Sequence, residues 1–279
     1  MRQMSNPAVG LVVAAIVVLA ACDRSTVRVD GISDAPDHPG TFSILGFDPR
    51  TGEVGGAVQS RVFSVGNGVL WAEAGVGAVA TQAIIDVSYG PQALELLRQG
   101  MPPRDVVTTI WDRDPDPMPA TGEGRAGANW TKLGRQFAVM NTTGEVAAYT
   151  GPRATEWAGD RQGRHVTAQG NFLAGEAVVA DMVAAFEKTE HDENGNPNHL
   201  SFRLLAALEA GQAAGGDSRG QQSAAMRIVK KGCGVWLNND VVLRLQVDDN
   251  PAPIAELRRL VEIAARQRRG IARQKPECF

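Results

Sequence analysis

The chain has 279 residues, 43% of them hydrophobic, and a formal net charge of −3 at pH 7. So even a balance gives no electrostatic case for nucleic acid, whose phosphates call for an excess of Lys and Arg. The apolar share is enough for one well-buried core in the length that remains beyond the first forty residues.

Those first residues read as targeting sequence. Arg2 supplies a positive start, Leu11 to Leu19 is an unbroken apolar run, and the small residues Ala20 and Ala21 lead into Cys22. The run is shorter than the roughly 20 apolar residues a permanent span needs. Leu19-Ala20-Ala21-Cys22 has the order of a lipobox. It predicts a signal peptide over 1–21 and a lipid on the Cys22 sulfur that anchors the protein to the bilayer. An ordinary signal peptide with a cysteine nearby is the alternative. The expected location is thus the periplasmic side of the cell envelope, and Asp23, which resembles the inner-membrane retention signal of some bacteria, points to the inner membrane. Residues 22–40 are polar, hold Pro36 and Pro39, show no periodicity, and read as a tether. Residues 41–279 are read as one globular domain.

Thr41 to Phe47 is a short strand with interleaved apolar residues, and Asp48 to Gly52 is a turn. Glu53 to Ser60 returns, so the domain opens on a hairpin. Gly66 to Gly68 turns the chain again, and strands follow over Val69 to Ala72 and Val76 to Gln82. Gly90 to Arg98 and Pro103 to Trp111 carry apolar residues at helical spacing. Asp112 to Lys132 is rich in Pro, Gly and charge and reads as a surface excursion. Strands resume at Arg135 to Met140 and Glu145 to Tyr149. Helices are predicted at Gly175 to Lys188 and Leu200 to Ala214, strands at Ser223 to Lys230 and Val241 to Val247, and a last helix at Ala252 to Arg268. Runs of strands alternating with pairs of helices predict an α+β fold in which sheet packs on sheet and helices cover both outer faces.

Several stretches together carry a resemblance: Thr41 to Ile44, Gly56 to Ser60, Ala74 to Ala83, Ser88 to Pro91, Ala148 to Gly151, Gln169 to Asn171, Ala214 to Gly220 and Val247 to Asp249. They resemble the domain-of-unknown-function family ten-twenty-eight, grouped with the N-terminal nucleophile (Ntn) hydrolases, from about Thr41 to Glu262. The resemblance implies a four-layer αββα sandwich and a nucleophile at the first residue of the mature catalytic chain. A threonine hydroxyl needs a base. A free α-amine, with a pKa of about 7.7–8.0, can take its proton near neutral pH only when nothing is attached to it. Thr41 is the candidate. Many relatives begin at this threonine; here the tether precedes it, so a free amine requires a cut between Gly40 and Thr41. Without that cut Thr41 is inert.

Each candidate has a structural reading beside the functional one. Thr41 is the expected nucleophile, or a strand-end threonine that only caps and packs. Gln59 and Ser60, at the end of the paired strand, and Asn171 are expected beside it, or else serve strand-end hydrogen bonding. Thr81 and Gln169 are suited to holding a substrate or an oxyanion. Gly216 belongs to a Gly215-Gly216-Asp217 turn that could form a backbone nest, with Asp217 binding an amine, or could simply join a helix to a strand.

Other motifs fail on context. Gly75 to Ala80 spells a dinucleotide fingerprint inside a strand, and Gln221 stands where a phosphate-binding loop requires lysine. The four histidines lack metal-ligand spacing. No cofactor or metal is called for. An oxidising periplasm would permit a disulfide between Cys233 and Cys278, although sequence alone does not bring them together. The expectation is an Ntn-type amidohydrolase acting on a small amide or peptide substrate; a homodimer would suit the family's flat sheets. The alternative is a non-catalytic lipoprotein that uses the same fold to bind a ligand, peptidoglycan or a protein partner.

Overall fold

A computed structural model describes residues 40–116, 131–154, 157–235, 239–272 and 278. The signal segment, Cys22, nearly all of the tether and most of the predicted excursion before Lys132 lie outside the described residues. No helix among the described residues is long and apolar enough to cross a membrane.

The opening hairpin is β1 (Thr41–Asp48) and β2 (Glu53–Ser60). Its turn closes where the Asp48 carboxylate accepts from the backbone N–H and the guanidinium of Arg50 and Gly52 takes a φ of +75° that a side chain would resist. Then follow β3 (Leu70–Glu73), β4 (Gly77–Ala83), α1 (Tyr89–Arg98), α2 (Pro103–Arg113), β5 (Arg135–Asn141) and β6 (Val146–Thr150). The second half holds β7 (Gly159–Gly163), β8 (Val166–Asn171), α3 (Ala177–Lys188), α4 (Leu200–Ala213), β9 (Ser223–Val229), β10 (Val241–Val247) and α5 (Pro253–Ala272). β7 and β8 are not among the elements expected from the sequence pattern, although Gln169 and Asn171 are expected at a strand end. β7 has no apolar alternation, and the Thr167, Gln169 and Asn171 of β8 look like a solvent face in a strand that is fully buried.

The result is a mixed α+β fold with two antiparallel sheets, ordered β10-β9-β2-β1-β8-β7 and β3-β4-β5-β6. Side-chain alternation decides what each face meets. In β1, Phe42 and Ile44 join a core with α3, α4 and α5, whereas Leu45 and Phe47 join a second core with Ala78, Ala80, Ala138 and Met140 of the smaller sheet. Val79, Phe137 and Val139 point the other way, into a third core with α1 and α2. Each large apolar side chain so buried contributes about 1.5–3 kcal/mol.

Two features correct or complete the sequence reading. Asp114, read as part of a surface excursion, is buried, and its carboxylate accepts from Arg135 Nε at 3.1 Å and from the Tyr89 hydroxyl at 2.5 Å. Burial, then the neighbouring Asp114, raises the Tyr89 pKa above the usual phenol value. Cys233 and Cys278 are bonded, with Cα atoms 5.5 Å apart, which joins the β9–β10 connection to the segment beyond α5.

Candidate functional site

The space between the sheets is apolar at one end and polar at the other. The polar end is built from strand ends. Thr41 opens β1 and stands opposite Ser60 on one side and Asn171 on the other; Ser43 stands opposite Gln169. Directly opposed residues share a face, so Thr41, Ser43, Ser60, Gln169 and Asn171 all point toward the smaller sheet. From that sheet Gln82 and Gln136, partners across β4 and β5, point back.

Buried amides are tolerable only when their hydrogen bonds are made, and here nearly all are. Ser43 Oγ donates to Gln82 Oε1 and accepts from Gln169 Nε2, both at 2.6 Å. Gln82 Nε2 donates to Gln136 Oε1 at 2.8 Å and to the Thr41 carbonyl at 3.2 Å. Gln136 Nε2 donates to the Gly170 carbonyl at 2.8 Å, and Asn171 Nδ2 donates to Gln136 Oε1 at 3.0 Å. Two strands of the larger sheet, β1 and β8, and two of the smaller, β4 and β5, are thereby tied at the end where Thr41 sits.

Thr41 Oγ1 lies 3.0 Å from Ser60 Oγ. Ser60 has one proton, and it is given to the Gly40 carbonyl. The Thr41 hydroxyl therefore donates to Ser60. The same Gly40 oxygen accepts from Arg219 Nη2 at 2.8 Å. Arg219 is aimed by Asp217, whose carboxylate takes Nη2 at 2.7 Å and Nε at 3.0 Å, and its guanidinium lies over the Phe172 ring. Gly40 has no room for a side chain: a Cβ there would come within 2.6 Å of Phe172 Cβ and 2.7 Å of Arg219 Nη2. The peptide bond before Thr41 thus has its carbonyl held by two donors, one of them charged.

The remaining sequence candidates fall elsewhere. Gln59 stands opposite Phe42 and shares its helix-covered face; its amide is fully buried, and both polar atoms lack a partner among the described residues. Thr81 points away from Gln82 and donates to the Asp86 carbonyl at 3.1 Å. The N–H groups of Gly215 and Gly216 close the end of α4 on the Gln212 and Gly211 carbonyls, and Asp217 is engaged by Arg219. Gln82, Gln136 and Arg219 carry the site with Thr41 and Ser60, yet the sequence reading gave them no role. A glutamine at the inward position of an otherwise small and apolar strand was the available signal.

A cavity of about 250 Å³ adjoins Thr41, walled by Val62, Val65, Val69, Ala83 and Ile85 as well as Gln82. Two of its lining residues, Ser64 and Ala83, have positive φ, as does Phe172 next to Asn171. Such conformations cost of order 1–3 kcal/mol each and persist only where surroundings impose them. Ser64 is imposed upon heavily. Its hydroxyl donates to Asp248 Oδ1 at 2.6 Å and accepts from Asn67 and Gln246, and its N–H donates to the Asp248 carbonyl. Hydrogen bonds from Ser64 and Gln246 hold the Asp248 carboxyl below its ordinary pKa. Among the described residues, no cluster of three or more His, Cys, Asp or Glu could hold a metal ion.

Fold and site together define a two-sheet α+β protein that presents a hydroxyl-and-amide cluster at the first residue of its first strand. The chain belongs to a family of unknown function, DUF1028, whose pattern matches residues 41–257 and so begins at Thr41 itself. It is also similar to protein SPO2555 from Silicibacter pomeroyi, a crystal structure of the same family. The two are 31% identical over 81% of this chain and 89% of that one, with a TM-score of 0.65. No curated protein matches the chain.

Proposed function

We propose that this protein is an Ntn-type amidohydrolase of the cell envelope, and that its stack of helices, sheet, sheet and helices is the αββα sandwich of that superfamily. The observation that carries the reading is the pair of donors on the Gly40 carbonyl beside the Thr41 hydroxyl. Donors aimed at a carbonyl oxygen stabilise the charge that develops when the carbonyl carbon is attacked. Thr41 Oγ1 adds to the Gly40 carbon, the C–N bond breaks, and the hydroxyl proton ends on the Thr41 nitrogen. Water then hydrolyses the ester, leaving a Gly40 carboxylate and a free Thr41 amine. That amine serves as base in later turnovers: it takes the hydroxyl proton as Thr41 attacks a substrate amide, the amine product leaves, and water releases the acid. Ser60 and Arg219 polarise the carbonyl, Asp217 holds Arg219, and the glutamines fix the strand that carries Thr41.

The Cys233–Cys278 bond supports export, since disulfides persist in oxidising compartments. With export goes the lipid anchor at Cys22. A second reading has one observation in its favour: Gly40 is buried and its carbonyl is fully engaged in the uncut chain, which suits a stable, non-catalytic binding protein. Intact mass and N-terminal sequencing of the full-length chain separate the two. The enzyme is expected to begin at Thr41 and Thr41→Ala to stay uncut. A wild-type chain continuous through Gly40–Thr41 would refute the hydrolase.

A further inference from the structure

The cavity beside Thr41 has a chemistry that the proposed reaction leaves unspecified. Among the described residues no Lys, Arg, Asp, Glu or His lines it, and its polar side chains are Thr41, Ser64 and Gln82. Two of these three are already engaged by the protein. The Ser64 hydroxyl is engaged by Asp248, Asn67 and Gln246; the Gln82 amide is engaged by Ser43, Gln136 and the Thr41 carbonyl. A polar or charged group reaching past Thr41 would lose water and meet only side chains that are apolar or already engaged, which is costly. An apolar group loses nothing and gains contact with Val62, Val65, Val69 and Ile85.

The mouth is apolar as well. Phe63, which lines the cavity, is 68% exposed, and Val87 is 49% exposed; these are the exposed large hydrophobics of the described residues. Val87 borders the opening at Gly68, where an added Cβ would lie 3.1 Å from its Cγ1. The wall is also preformed. Ser64 is held by Asp248, and the segment beside it by Ser223, whose hydroxyl donates to the Val62 carbonyl at 2.6 Å and accepts from Val65 N–H at 3.0 Å. An apolar cavity of about 150 Å³ holds benzene, so one of 250 Å³ has room for about ten carbon atoms.

We infer that this cavity is the acyl pocket of the site, and that the substrate is an N-acyl compound whose acyl group is an uncharged apolar chain of about six to ten carbons. The inference rests on Thr41 being the nucleophile for its chemical outcome: the acyl group stays on Thr41 Oγ1 as the ester and lies in the cavity that Thr41 lines, while the amine departs. The occupancy of the cavity rests on the cavity alone.

Two measurements on the purified full-length chain keep these apart. The first is calorimetric titration with straight-chain primary amides from butanamide to dodecanamide, and with the monoamide of a ten-carbon dicarboxylic acid. Affinity is expected to rise about fourfold per methylene, to level off near ten carbons, and to fall tenfold or more for the chain that ends in a carboxylate. Val69→Phe should move the plateau to shorter chains. Phe63→Ser, at an exposed position where folding is not at stake, should weaken only the longest. A flat profile, equal binding of the carboxylate chain, or a profile unmoved by both variants would overturn the pocket. The second measurement is mass analysis after exposure to p-nitrophenyl esters of the same acids. Length-dependent acylation of Thr41 is expected; amide binding without acylation would leave the pocket standing and remove the hydrolase, and acylation indifferent to chain length would do the reverse.

Discussion

Ser60 is where the proposed chemistry can be tested most sharply. Its hydroxyl is one of two donors on the Gly40 carbonyl and is the acceptor of the Thr41 proton. Ser60→Ala removes both contacts and leaves Arg219 in place at 2.8 Å. Loss of one such donor slows acyl transfer by about 10²–10³-fold, roughly 2.7–4 kcal/mol of barrier; loss of the proton acceptor favours the upper end. The structural cost is smaller. Two hydrogen bonds of about 1 kcal/mol each in a domain of this size lower the melting temperature by roughly 4–8 °C, so the variant folds. The assay follows the fraction of chains that begin at Thr41 by intact mass over time, with a thermal melt in parallel. A wild-type chain that opens within an hour becomes a variant that needs days. A folded Ser60→Ala protein that opens at the wild-type rate would refute the role of the carbonyl donors and with it the proposed use of Thr41.

Two further predictions concern the frame around the site. Arg135 and Asp114 are 1% and 0% exposed, and removing one partner of a buried pair leaves an uncompensated charge. Arg135→Met should therefore cost about 3–5 kcal/mol in urea unfolding, and adding Asp114→Leu should recover much of it; a single variant within 1 kcal/mol of wild type would contradict this. Asp248 has its pKa lowered from 3.8 by hydrogen bonds from Ser64 and Gln246. A depressed carboxyl stabilises the fold fully above its unfolded value and loses that contribution as pH falls through the folded one. Between pH 5 and 2 the urea midpoint of Asp248→Asn should thus fall less steeply than that of the wild type, and parallel profiles would show that Asp248 does not anchor Ser64.

The order of elements was largely legible in the sequence because apolar periodicity and turn residues report local structure directly. The site was half legible, and parity explains which half. On β4 the sequence points to Thr81 and not to Gln82, and on β2 it points to Gln59 and Ser60 alike without separating them. A strand reverses its side chains at every step, so Gln82 reaches the Thr41 carbonyl and Thr81 does not, and Ser60 reaches Thr41 while Gln59 lies under the helices. Separating them requires knowing which face of β2 and β4 meets the other sheet, a fact set by distant strands. Arg219 lay in a stretch that carried the family resemblance, but its approach to Gly40 spans 179 residues and has no local signature.

The amides between the sheets also bear on how this molecule can move. Gln82 and Gln136 on one sheet are bonded to backbone carbonyls of the other, at Thr41 and Gly170. Sliding one sheet over the other by a single step would break these contacts together and strand several dipoles in a dry interior. The end of the two-sheet core that bears the Thr41 hydroxyl is for that reason pinned against such a slide, whereas the exposed Phe63 side chain at the cavity rim is not tied in this way.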